Sequence, residues 1–327
     1  MIGRSRNPFT KDDLLRDYWG LVDTAIDRFG SKEFIVTKNG SVTFHKAVTR
    51  AELIRHYLLK ATTQKQIGVG IFLQDPREVI PCMIGVLKAG NYFIVMDVSF
   101  PAITLKEMIQ DAEIKVILTT NQNLSVIQPL VDDSVKVINI DQIDDSATVE
   151  NLPVEYSPED FVQIMFTSGS TGKPKGAIED YRYLVRAVHV KLETYELNDD
   201  DKILQLSSFT FSGHHTFVFT ALLVGLTICY HPVKVEGFST LACWMKEKGI
   251  TIFTSTPTTF RSLASVLTPQ DTFPLVHTFY LGGDKRLRND ILIMKRHFPN
   301  VKWVRINYSG TQIPRLIYFA NKFTPEG

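Results

Sequence analysis

The stretch "FTSGSTGKPKG", Phe166 to Gly176, contains three glycines, four hydroxyl side chains, two lysines and one proline. Only Phe166 is a core former. Glycines let a backbone approach a ligand closely and adopt positive φ. Exposed backbone N–H groups together with Ser and Thr hydroxyls can wrap the oxygens of a phosphate, and lysines add charge where the anion sits. Pro174 limits the freedom of the loop and lowers the cost of ordering it. The composition reads as a loop for a polyphosphate. It is not the Walker pattern, because Gly172-Lys173 is followed by Pro174 rather than Ser or Thr. A flexible Gly/Ser linker is the competing reading. A strand leading straight in, a helix following and Lys-Pro-Lys between glycines all speak against it.

Working upstream, "FVQIMF" reads as the entering strand. Before it, residues Asp144 to Asp160 are mostly polar, with two prolines and six acidic residues, and read as a surface connection. Further back, "IGVGIFL", "YFIVMD", "VILTT" and "VKVINI" read as strands. "REVIPCMIGVLKAG" and "LKEMIQDAE" read as helices between them, the first ending on a glycine. Downstream, "YRYLVRAVHVKLETY" reads as a helix. From about Asp199 a second series follows, with strands "KILQLSS", "TICYH", "TIFTST", "HTFYLGG" and "WVRINYS". Its helices are "FSTLACWMKEKG", "PTTFRSLASVL" and "LRNDILIMKRHFP". This alternation predicts an α/β fold of two packed α/β subdomains with largely parallel sheets, about 1–198 and about 199–327. Parallel sheets put binding loops at the carboxyl ends of their strands, where the loop falls.

Composition excludes several classes. Of 327 residues, 44 % are hydrophobic and 22 % charged, and 36 Lys+Arg against 35 Asp+Glu leave a formal net charge of +1. Such a balance gives no field that gathers nucleic acid or an anionic membrane. Three cysteines, Cys82, Cys229 and Cys243, lack a zinc-type spacing and suit a reducing cytoplasm. The N-terminal "MIGRSRNPFTKDD" has no apolar run fit for a signal peptide. No segment supplies the ~18 uninterrupted apolar residues of a spanning helix. The longest apolar stretch, "FVFTALLVGLTICYH", reads as a buried helix running into a buried strand.

"FTSGSTGKPKGAI" resembles the phosphate-loop signature of the acyl-adenylate-forming (AMP-binding) ligases, above all the adenylation domains of nonribosomal peptide synthetases. Other segments agree in order: "LKAGNYFIVMD", "DDDKILQLSSFTFS", "YLGGD" and "NYSGTQ", the last resembling Asn-x-Tyr-Gly-Pro-Thr-Glu. The resemblance covers nearly the whole chain. It implies ATP-dependent activation of a carboxylic acid as acyl-AMP, release of pyrophosphate, and transfer to the phosphopantetheine thiol of a carrier domain, with ATP and Mg²⁺ required. It implies that Thr167, Ser168, Gly169, Ser170, Thr171, Gly172 and Lys175 cradle the phosphates. Gly282, Gly283 and Asp284 would flank the adenine, Tyr308 would stack on it, and Thr311 would bond the α-phosphate. The acyl pocket would comprise Thr210, Phe211, His214, Thr254, Tyr280, Gly282, Asn307, Arg315 and Leu316.

Three departures from that family pattern carry information. Amino-acid-activating domains place Asp after the Phe of Phe-Asp-x-Ser; here "FTFS" puts Thr210 there. A neutral hydroxyl cannot balance a desolvated ammonium. The expected substrate is therefore a keto, hydroxy, aryl or fatty acid, with a β-amino or otherwise displaced amine as the alternative. Arg315 could meet a second acidic group or point to solvent. Of His214 and His215, at least one is expected at the pocket and the other in a structural role. Gln312 replaces the Glu that usually holds Mg²⁺, keeping an oxygen but losing the charge, so either the metal site is weaker or catalysis has decayed. The chain ends at "FTPEG" without the ribose-binding Asp motif, the hinge or the terminal catalytic Lys. Truncation of a longer protein, with the C-terminal lid missing and this portion weakly active or inactive alone, is the expectation. A non-catalytic scaffold domain and an acyl-CoA ligase stay open as alternatives.

Overall fold

The computed structural model describes residues 9–147, 149, 153–167, 175–206, 209–210, 214–282, 287–307 and 318–322. Strands β1 (Glu33–Thr37) and β2 (Gly40–Thr43) form a hairpin. Then follow β3 (Gly68–Ile71), β4 (Tyr92–Val95), β5 (Ile114–Thr119), β6 (Lys136–Asn139), β7 (Phe161–Thr167) and β8 (Lys175–Asp180). The remaining strands are β9 (Lys202–Gln205), β10 (Thr227–Tyr230), β11 (Ile252–Ser255), β12 (Thr278–Gly282), β13 (Trp303–Asn307) and β14 (Tyr318–Lys322). Among the described residues they make a six-stranded sheet, β6-β5-β3-β4-β7-β8, and an eight-stranded sheet, β14-β13-β12-β11-β9-β10-β1-β2. Pairing is parallel except for β1–β2, β7–β8 and β13–β14.

Three apolar clusters order these sheets into layers. The largest joins β3 residues Val69 and Ile71 to Phe34 and Ile35 of β1. It does so through helices Lys11–Phe29, Phe44–Ala61, Pro76–Lys88, Tyr181–Thr194 and His214–Val224, which fill the space between the sheets. The outer face of the eight-stranded sheet packs on helices Phe238–Lys248, Pro257–Ala264 and Arg288–His297. Here Phe253, Phe260, Phe279 and Phe298 interlock, Phe279 meeting Phe298 edge-on at 4.7 Å. The outer face of the six-stranded sheet packs on helix Ala102–Asp111. Sheets covered on both sides explain why strands such as Gly68–Ile71 are buried at every residue.

Local chemistry sets the helix starts. Thr10 and Asp13 form a reciprocal capping box. Asp75 caps a helix whose first residue is Pro76, and Asp180 accepts from the Tyr183 N–H at 2.7 Å. Gly85 permits close approach of two central helices: a Cβ there would lie 2.6 Å from the Ala51 carbonyl oxygen. Gly90, at φ +76°, ends its helix in a conformation other residues avoid. Among the described residues no helix is long and apolar enough to cross a membrane. The apolar stretch from Phe217 is a buried helix followed by strand β10, as its composition predicts.

Two features depart from the sequence reading. Strand β1 precedes every strand of the six-stranded sheet yet pairs with β10 in the other, Ile35 opposite Ile228. A strand, β8, intervenes between the glycine-rich loop and helix Tyr181–Thr194. The polar connection before β7 runs over the surface as its composition predicts, no described residue of it being buried, and Tyr156 anchors it. Tyr156 stacks on Tyr181 with ring centres 4.4 Å apart, and its hydroxyl accepts from the Tyr18 N–H at 2.8 Å.

Candidate functional site

The loop is carried by an antiparallel hairpin. Thr167 ends β7 opposite Lys175, which begins β8, so residues 168–174 are closed at their base by a register pair. Ser168, Gly169, Ser170, Thr171 and Gly172 lie outside the described residues. Lys175 is exposed. Gly176, opposite Phe166, is a close approach, since a Cβ there would sit 2.9 Å from Ile164 Cγ2.

A crevice runs beside this hairpin. Ile164 and Phe166 of β7 line it together with Val95, Phe209 and Thr210. The residue that enters the phosphate-type loop and the residue singled out as the missing ammonium partner therefore share one wall. Thr210 is half-buried, and Phe209 beside it stacks on Tyr230 at 6.0 Å.

Behind the crevice lies a buried polar cluster. Gln163 and Glu179 are register partners on β7 and β8, and Gln163 Nε2 donates to Glu179 Oε2 at 2.6 Å. The His215 ring, 1 % exposed, brings Nε2 within 2.9 Å of the same carboxylate oxygen. Lys191 Nζ, on helix Tyr181–Thr194, donates to Thr216 Oγ1 at 2.6 Å and lies over the Phe217 ring at 4.8 Å. Burial pushes the Glu179 carboxyl up, but His215, Gln163 and Lys191 outweigh it and hold it below the ordinary carboxylate value. Burial pushes the Lys191 ammonium down to about 7 against the attraction of Glu179. The cluster ties the loop-bearing hairpin to the start of helix His214–Val224. Of the histidine pair, His215 has this structural place, while His214 is half-buried at the helix start.

Of the other expected pocket residues, Thr254, Tyr280, Gly282 and Asn307 lie on the eight-stranded sheet, with Arg305, which was not expected, in the same row. Thr254, Tyr280 and Arg305 are register partners across β11, β12 and β13, and Gly282 is opposite Asn307. Thr254 is 2 % exposed and its hydroxyl donates to the Leu204 carbonyl oxygen. Half-buried Tyr280 meets Phe217 edge-on at 5.6 Å, which brings this strand face against the same helix that carries His214 and His215. Phe211, Gly283, Asp284, Tyr308, Thr311, Gln312, Arg315 and Leu316 lie outside the described residues.

The residues missed from sequence are Glu179, Lys191 and Arg305. For Lys191 a signal existed: it shares the buried stripe of Leu184, Val188 and Leu192 at helical spacing. A lysine on such a stripe asks for a partner. Among the described residues no three His, Cys, Asp or Glu side chains form a group that could hold a metal.

Comparison with known proteins agrees with this fold. A family profile described as AMP-binding enzyme matches residues 22–306. Gramicidin S synthase 2 of Brevibacillus brevis is 27 % identical over 286 residues, covering 86 % of this chain and 6 % of that synthase. The chain thus spans only part of the length of the curated relatives it matches. Among solved structures, VinN superimposes with a TM-score of 0.81 at 17 % identity, covering 91 % of this chain and 76 % of VinN. The AMPPNP-bound form of FmoA3, a nonribosomal peptide synthetase, gives 0.81 at 18 % identity over 94 % of this chain and 34 % of FmoA3. These likenesses in shape establish the fold, of the kind found in the N-terminal part of adenylate-forming enzymes, and the profile match establishes more: the chain belongs to the AMP-binding enzyme family.

Proposed function

We propose that this chain is the nucleotide- and acid-binding portion of an adenylation domain. A carboxylate oxygen of the substrate attacks the α-phosphorus of ATP, and the bond from that phosphorus to the bridging oxygen breaks. Pyrophosphate leaves and acyl-AMP remains. A carrier-domain phosphopantetheine thiol then attacks the acyl carbonyl, and AMP departs. An anion attacks an anion in the first step, so donors around the phosphates do most of the work. Thr167, the 168–172 segment and Lys175 supply them in this reading. Gly282, Gly283, Asp284 and Tyr308 hold the adenine, Asn307 edges the pocket, and Thr311 meets the α-phosphate. Mg²⁺ would neutralise phosphate charge when bound, with Gln312 as the candidate ligand; among the described residues no cluster of His, Cys, Asp or Glu could hold it. The division into two units, about 1–198 and about 199–327, is part of the same proposal; the β1–β2 hairpin of the first pairs into the eight-stranded sheet.

The observation that carries the proposal is the closure of the loop by Thr167 and Lys175 beside the crevice that holds Thr210. A phosphate cradle on this hairpin and a carboxylate site at this wall would lie within reach of each other, which supports the reading. Thr210 argues for an acid without an α-ammonium. Substrate-dependent pyrophosphate exchange by the full-length protein, over amino, keto, hydroxy, aryl and fatty acids, tests it. Exchange with at least one non-amino acid is expected, and Thr210→Asp is expected not to improve use of that acid. No exchange across the panel at generous Mg²⁺ would mark a scaffold domain instead. An ordinary L-α-amino acid as the best substrate would contradict the reading of Thr210.

A further inference from the structure

Arg305 is 4 % exposed, and its Nε is buried with no hydrogen-bond partner among the described residues. Each of the other buried Arg and Lys side chains has at least one hydrogen-bonded or ion-paired partner. Arg55, whose Nε is also unpartnered, donates through its other two nitrogens to Glu52 and to the Pro153 carbonyl, Lys88 pairs with Glu52, and Lys191 donates to Thr216. Removing a guanidinium from water without a hydrogen-bonded counter-charge is among the costliest events in a protein interior. A chain that keeps one there leaves a place for an anion.

Aromatic rings hold Arg305 in position. Its Cζ lies 4.6 Å from the Tyr195 ring centre and 5.1 Å from that of Trp303. A guanidinium on a ring face keeps its N–H bonds in its own plane, so stacking orients the donors without satisfying them. Glu196, whose charge reaches Arg305, accepts from Trp303 Nε1 at 3.2 Å instead. Paired residues of parallel strands project to one face. Arg305 therefore shares a row with Tyr280 and Thr254, the row packed toward helix His214–Val224.

We propose that Arg305 is the specificity anchor of the acyl pocket and that the acid activated here carries a second carboxylate. This rests on the adenylation reading above. The planar guanidinium fork matches a carboxylate, and the tyrosine and threonine of the row give the connecting carbons a neutral wall. Thr210 supplies no counter-charge for an α-amine, so the class is a dicarboxylic acid without one. The reacting carboxylate goes to the nucleotide and the far one to Arg305.

Pyrophosphate exchange by the full-length protein on matched pairs, butanoate against succinate and pentanoate against glutarate, provides the test. The dicarboxylate of a pair is expected to be preferred. Arg305→Met, which keeps the stem on the rings, is expected to lower kcat/KM for that dicarboxylate about 100-fold while sparing the monocarboxylate. Arg305→Lys is expected to fall between, because it keeps the charge but loses the fork. If Arg305→Met fails to fold, the preference of the unaltered protein decides alone. Preference for monocarboxylates, or a selectivity unmoved by Arg305→Met, overturns this inference and leaves adenylation standing. No exchange with any acid overturns both.

Discussion

Lys175→Ala in the full-length protein is expected to lower kcat for pyrophosphate exchange by about 10²–10³-fold, with the melting temperature measured alongside. Loss of one preorganised donor at a site of developing charge typically costs that much. Lys175 is placed for the role by covalent proximity to the loop and by register, being the first residue of β8 and opposite Thr167. A flexible lysine elsewhere on the surface has to pay for its own ordering, whereas the hairpin fixes this backbone before any ligand arrives. A drop in rate without a matching drop in stability identifies a contact with the nucleotide. A rate within threefold or so of the unaltered protein removes Lys175 from the phosphate site.

The second large effect is on stability. Glu179→Ala is expected to cost about 3–5 kcal/mol in denaturant unfolding, because it strands His215 and Lys191 in the interior. The same cluster predicts a pH dependence. Lys191 ionises near 7 in the folded chain, against an ordinary value of 10.5. Below pH 7 both folded and unfolded chains carry its proton and the burial cost is felt in full. Between about 7 and 10.5 the unfolded chain binds more protons, so this lysine makes stability rise with pH across that window. Glu179 acts at the other end. Its folded value is depressed, so its contribution is present above the unfolded carboxyl range and is lost as pH falls through the folded value. Lys191→Met, which keeps the apolar stem over Phe217, is expected to raise the melting temperature at pH 6 and flatten the slope from pH 7 to 10. An unchanged slope would show that Lys191 is not a buried ammonium.

The layered α/β architecture is legible because its parallel strands are nearly continuous apolar runs and its helices carry stripes at helical spacing. "VILTT" and "LRNDILIMKRHFP" need no tertiary knowledge to be read. Strand β8 is not legible: "KGAIED" mixes glycine, an exposed isoleucine and acids, because it pairs on one edge only. Membership of β1 in the far sheet is equally hidden, since its partner β10 is remote in sequence and the apolar pattern suits either sheet. At the site, the glycine- and hydroxyl-rich loop is visible from composition alone, because few other uses demand it. Arg305 is not visible, because an arginine in "WVRINYS" looks like the solvent face of a strand until both faces prove to be covered. Glu179 escapes notice for a related reason: it is ordinary in its own segment and becomes informative only once paired with His215.

The measurement that bears most directly on the nucleotide site is a crystal structure of the full-length protein with a non-hydrolysable ATP analogue. The β- and γ-phosphates are expected within hydrogen-bond reach of the 168–174 backbone and of Lys175, with the α-phosphate turned toward the crevice of Thr210. An analogue seated in another cleft, with the glycine-rich loop touching only solvent, would contradict the proposal.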